Sequence, residues 1–166
     1  MNTKIIATLA GAIAAVAASG AFAASGVVVS KSVEIKGKTP AQVMEKFGAF
    51  CAIGEWHPAL AKCEESKEGN DQFRTLHLKD GGAIKEKLSK IGEEGYSYKI
   101  VGGPLPVKDY MATFSIKKDD DGDDDVKVSW VASFQAAPGK TEAEAKAVME
   151  GIFEAGLKSL ADMAAK

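Results

Sequence analysis

The sequence predicts an α+β fold: a curved antiparallel sheet of about seven strands on one long C-terminal helix, with two short helices after strand 1. Two observations carry that prediction. Residues 62–134 alternate with period two in short runs broken by glycine- or aspartate-rich turns, the mark of hairpin-connected strands. Thr141-Glu142-Ala143-Glu144 is a capping box, and an apolar stripe of helical period follows it. Hairpin-joined strands pair antiparallel, and their apolar face needs a cover that the closing helix supplies.

The chain of 166 residues opens with Lys4, an apolar and small run over residues 5–18, then Ser19-Gly20-Ala21-Phe22-Ala23. That order is a secretory signal peptide, too short and alanine-rich for a membrane anchor. Cleavage after Ala23 is expected to leave residues 24–166 as one periplasmic or secreted domain without a membrane span. A domain of that size has core enough to fold without disulfides. With 21 basic against 23 acidic side chains, nothing in the charge points to nucleic acid as a partner.

Val27, Val29, Val33 and Ile35 read as the first strand. Thr39-Pro40-Ala41-Gln42 is a helix start, with a capping residue, proline in the first turn and Gln42 completing the box. Val43, Met44 and Phe47 share a side of that helix. A second helical piece is expected from Ala49 until Pro58 interrupts it. Strands over 62–68 and 73–78 follow around Gly69-Asn70, placing Arg74, Leu76 and Leu78 on one face and Phe73, Thr75 and His77 on the other.

Lys79-Asp80-Gly81-Gly82 turns the chain into a strand over 83–91, and residues 92–95 turn it again into Tyr96-x-Tyr98-x-Ile100. Gly102-Gly103-Pro104-Leu105-Pro106 makes a stiff loop. Tyr110, Ala112, Phe114 and Ile116 alternate out of it, and residues 119–125 link them to Val126, Val128, Trp130, Ala132 and Phe134. The closing helix presents Val148, Ile152, Phe153, Gly156, Leu157, Leu160 and Met163. A sheet curved around such a helix leaves a gap in which an apolar ligand would sit.

Chemistry-bearing residues concentrate in Cys51-Ala-Ile-Gly-Glu-Trp56-His57-Pro58-Ala-Leu-Ala-Lys-Cys63. In an oxidising compartment, two cysteines are most simply one bridge, Cys51–Cys63. Free thiols or a redox site are the other readings, although Cys-x11-Cys is not a redox spacing. His57 titrates near neutral pH and is either a polar group at the cavity mouth or a ring that pins a corner to backbone. Arg74, on an apolar face, needs an acid, and Glu86 on the neighbouring strand is the candidate. Tyr98 and Tyr110 offer hydroxyls on apolar faces.

The residues exclude several classes. There is no nucleophile elbow, no phosphate-binding glycine loop and no dinucleotide fingerprint, so no catalytic residue, metal or cofactor is assigned. An EF-hand with Gly122 at its sixth position would put Lys117 at the first and Val128 at the twelfth, which excludes the standard calcium loop. Whether the aspartates of 119–125 hold a cation more weakly is left open.

Trp56-His57-Pro58, the 74–81 segment, Glu86-Lys87-Leu88 and residues 96–110 together resemble the helix-grip (SRPBCC) superfamily of START domains and polyketide cyclase/dehydrase-like proteins. The likeness spans residues 26–165 and is greatest to exported members of the polyketide cyclase/dehydrase and lipid transport group. Gly102-Gly-x-x-x-x-Lys108-x-Tyr110 also resembles the plant abscisic-acid receptors, which would make residues 79–82 a lid and Pro104-Leu105-Pro106 its latch. Here prolines stand where those receptors carry His-Arg. The resemblance implies a binding protein for a small hydrophobic or amphipathic ligand. Its alternatives are an accessory protein docking a periplasmic oxidoreductase of methanol-oxidation type, or a small cyclase or dehydratase. The residues expected to meet the ligand are Trp56, His57, Arg74, Leu76, Leu78, Glu86, Tyr98, Pro104, Pro106, Tyr110 and Phe153.

Overall fold

The computed structural model describes residues 26–120 and 125–166. The expected leader and most of the aspartate run therefore lie outside the described residues. Strand β1 (Val27–Ile35) is followed by helices α1 (Pro40–Phe47) and α2 (Ile53–Trp56). Strands β2 (Leu60–Glu68), β3 (Asp71–Leu78), β4 (Ala83–Gly92), β5 (Gly95–Gly102), β6 (Val107–Lys118) and β7 (Val126–Ala136) come next, and α3 (Glu142–Ala164) closes the chain.

Helices α1 and α3 start where their side chains can satisfy the first backbone donors. Thr39 Oγ1 accepts from Gln42 N–H at 3.3 Å while Gln42 Oε1 accepts from Thr39 N–H at 2.8 Å. Thr141 and Glu144 repeat the exchange at 3.1 and 2.8 Å. The strands form one antiparallel sheet in the order β1-β7-β6-β5-β4-β3-β2. β1 therefore leaves the hairpin order and pairs beside β7, where α3 lies over it and Lys31 reaches Glu154 at 2.6 Å. The helix end of the sheet is thus covered, and the concave side of β3–β6 is left to other residues.

Three expectations need correction. β2 begins at Leu60 rather than residue 62, because a bulge between Leu60 and Lys62 lets the strand start beside the corner. Val148 is 42% exposed, since the buried helix face runs through Ala145, Met149, Phe153, Gly156, Leu157 and Leu160, one residue's rotation away. β6 starts at Val107, ahead of Tyr110, because a bulge between Lys108 and Met111 absorbs an extra residue. Asp109 adopts φ 51° there, a left-handed conformation that aspartate tolerates better than most residues. The bulge lets Val107 and Tyr110 both turn inward.

Among the described residues, no helix is long and apolar enough to cross a membrane.

Candidate functional site

The corner before β2 is fastened twice. Cys51 and Cys63 are joined in a disulfide with Cα atoms 5.6 Å apart, tying the segment between α1 and α2 to β2. Gly54 makes this approach possible, because a Cβ there would lie 2.8 Å from Cys63 Cβ and backbone nitrogen. His57 provides the second tie. Ala59 N–H donates to its Nδ1 at 3.3 Å, so the ring proton sits on Nε2, which donates to the Ile152 carbonyl of α3 at 3.0 Å. Burial holds its pKa below the ordinary value, against the pull of the Ile152 bond. The ring is therefore neutral and both of its nitrogens are engaged. Gly156 gives it room, since a Cβ at that position would lie 2.6 Å from His57 Cδ2.

Trp56 points away from this corner into the core. It is 1% exposed, stacked on Phe114 at 5.6 Å and edge-on to Trp130 at 5.8 Å. Arg74 is fully buried. Its Nε donates to Glu86 Oε2 at 2.5 Å, and its Nη1 donates to the Phe50 carbonyl and to Tyr96 Oη, the latter at 3.1 Å. The guanidinium carbon lies 4.2 Å from the Phe50 ring, 4.7 Å from Tyr98 and 5.3 Å from Tyr96. Aromatic faces thus surround the part of the cation that no oxygen reaches. Burial opposes charge on both partners. It raises the Glu86 pKa against the pull of Arg74, whereas the Glu86 carboxylate keeps Arg74 firmly protonated.

Beside this pair lies a cavity of about 330 Å³ between the concave sheet face and α3. Leu76, Leu78, Ile84, Glu86, Tyr98, Ile100, Tyr110 and Trp130 form its sheet wall. Met149, Ile152 and Phe153 form its helix wall, and Ile53, His57, Ala59 and Leu60 its corner. Lys79, Asp80 and Leu105 stand at the loops around it. Phe153 stacks on Trp130 with ring centres 4.2 Å apart, which fixes where the helix meets the sheet. Trp130 Nε1–H donates to Tyr98 Oη at 2.9 Å, and the Tyr98 and Tyr110 hydroxyls lie 3.3 Å apart. Burial raises the pKa of both phenols, so both stay protonated.

The structure thus brings together seven of the expected ligand-facing residues: His57, Leu76, Leu78, Glu86, Tyr98, Tyr110 and Phe153. Four stand off the lining. Trp56 is spent in the aromatic core, and Arg74 sits behind Glu86. Pro104 is exposed and Pro106 half-buried, while Leu105 between them reaches the lining from a tight bend in which Val107 N–H donates to the Leu105 carbonyl at 2.8 Å. His77 lies on the outer face, 2.6 Å from Glu64. Sequence reasoning missed Ala59, Leu60, Ile84 and Met149, which carry no polar signal. Trp130 was legible as an inward strand residue and not as part of the site.

A seven-stranded antiparallel sheet gripping a long C-terminal helix over an apolar cavity defines the START-like, SRPBCC class. Within that class, the chain belongs to the polyketide cyclase / dehydrase and lipid transport family, whose profile matches residues 26–165. Among solved structures it is similar to XoxI from Bacillus cereus, 28% identical over 82% of this chain and 94% of that one, TM-score 0.74. A protein from Bacillus thuringiensis is 27% identical over 84% of this chain and 100% of that one, TM-score 0.76. The Zhui aromatase/cyclase from Streptomyces sp. R1128 shares the fold at 16% identity, covering 83% of this chain and 93% of that one, TM-score 0.64. No curated protein matches the chain.

Proposed function

We propose that this is an exported protein that binds one small hydrophobic or amphipathic molecule, without covalent chemistry, in the cavity between sheet and α3. The observation that carries this reading is the cavity itself: about 330 Å³ lined almost wholly by apolar side chains, with Glu86, Tyr98 and Tyr110 as a polar wall. That volume lies at the low end of the roughly 300–1,000 Å³ usual for small-molecule sites, which favours one compact ligand over a two-chain lipid. Membership of a family named for lipid transport as well as cyclisation supports the same reading. Of the groups a cyclase would draw on, His57 offers no base to a substrate, because both of its nitrogens are engaged by backbone.

Protein purified under native conditions from its own source tests the reading by native mass spectrometry. The expected result is a species heavier than the polypeptide by one small compound, recovered by organic extraction. Bare polypeptide that also fails to take up any apolar probe at saturation would overturn it. Export rests on the N-terminal sequence pattern, and Edman sequencing is expected to find Ala24 first; an intact Met1 would refute it.

A further inference from the structure

The polar wall of the cavity has an unspent acceptor and an unspent donor. Arg74 Nε engages only Glu86 Oε2, and no other described group pairs with the second oxygen. That oxygen is not among the fully buried side-chain atoms lacking a partner, although the side chain as a whole is 5% exposed. The guanidinium lies off the lining and the carboxylate on it, so the accessible oxygen faces the cavity.

The donor follows from counting protons. Tyr98 Oη accepts from Trp130 Nε1–H, and one hydrogen bond joins the Tyr98 and Tyr110 hydroxyls. Two hydroxyls sharing one bond leave one O–H without an acceptor, whichever way that bond runs. Glu86 is registered opposite Ile100 on β5, and Tyr98 opposite Leu88 on β4. Glu86 and Tyr98 are diagonal neighbours on one face, roughly 7–8 Å apart at the backbone, and the Tyr110 hydroxyl lies 3.3 Å from that of Tyr98, so the free O–H stands on the same wall as Glu86 whichever phenol carries it. His57 competes for neither role, since its nitrogens are taken.

Resting on the binding function above, we propose that the cavity selects ligands bearing a hydroxyl group, amphipathic alcohols or phenols. The hydroxyl donates to Glu86 and accepts from the tyrosine pair. A carboxylate would set a second anion against Glu86 in a medium of low dielectric. A hydrocarbon leaves both groups unsatisfied, and a ketone or ester answers only the tyrosine.

Calorimetric titration of 2-naphthol, naphthalene and 2-naphthoate, ionised at pH 7, tests this with one ring system. Wild type is expected to bind 2-naphthol about tenfold tighter than either analogue, the worth of one or two hydrogen bonds to groups otherwise unmatched. Glu86→Gln removes the anion while keeping an oxygen for Arg74, and is expected to gain affinity for 2-naphthoate. Should that variant fail to fold, Tyr98→Phe/Tyr110→Phe is expected to narrow the advantage of 2-naphthol over naphthalene. Equal affinity of wild type for all three compounds would overturn the hydroxyl preference and leave the cavity reading standing. Failure to bind any of them would overturn the cavity reading itself.

Discussion

His57 shows how one residue can look functional and act as a fastener. Its ring spans from the corner before β2 to α3, and both nitrogens hold backbone groups. Because burial lowers its pKa, the folded state binds fewer protons than the unfolded chain once the pH falls below about 6.5. Its stabilising contribution is therefore complete above that pH and declines toward the folded-state pKa. Thermal melts of wild type and His57→Gln are expected to differ most near pH 8 and to converge as the pH falls toward 5. Gly156→Ala tests the same contact from the helix. Helix propensity alone would favour alanine by about 1 kcal/mol, but a Cβ 2.6 Å from the imidazole is expected to give a net loss of about 1–3 kcal/mol in urea unfolding. Arg74→Met strands the buried Glu86 carboxylate and should lower stability by about 3–5 kcal/mol. Arg74→Met/Glu86→Leu should recover part of that loss in the same assay.

Secondary elements were the most legible level of this sequence. Capping boxes at Thr39 and Thr141 mark helix starts by chemistry that needs no tertiary contact, and both helices begin there. Period-two alternation likewise showed which face each strand buries, as Tyr96, Tyr98, Tyr110 and Phe114 illustrate. Helix rotation was harder: Val148 belongs to the apolar sequence stripe, yet the docking of Phe153 on Trp130 turns it outward. The bulges between Leu60 and Lys62 and between Lys108 and Met111 are not legible, because an extra residue is fixed only by its partner strand. At this scale, the disulfide should act by restricting the unfolded chain. Cys51→Ser/Cys63→Ser is expected to lower unfolding stability by roughly 3 kcal/mol while far-UV circular dichroism keeps its native shape.

Across the whole molecule, the cavity arises from an imbalance of cover. Helix α3 packs on β1 and β7 and α1 on β6, and the concave face of β3–β5 fronts the cavity. Sequence alternation identifies the inward residues but not which of them meet the helix and which meet empty space, so the packed and the cavity-facing members look alike. Phe114 and Leu76 illustrate this: both point inward, and only Leu76 reaches the cavity. Loop residues such as Ala59 and Leu105 join the lining through backbone paths that no local pattern encodes. We place the binding of a small apolar molecule in this cavity. Titrating 15N-labelled protein with 2-naphthol and following the amide resonances tests it most directly. Saturable one-to-one shifts are expected at Leu76, Glu86, Tyr98, Tyr110 and Phe153. Shifts confined to the outer sheet face around Ser97, Thr113 and Val131, or none at saturation, would contradict it.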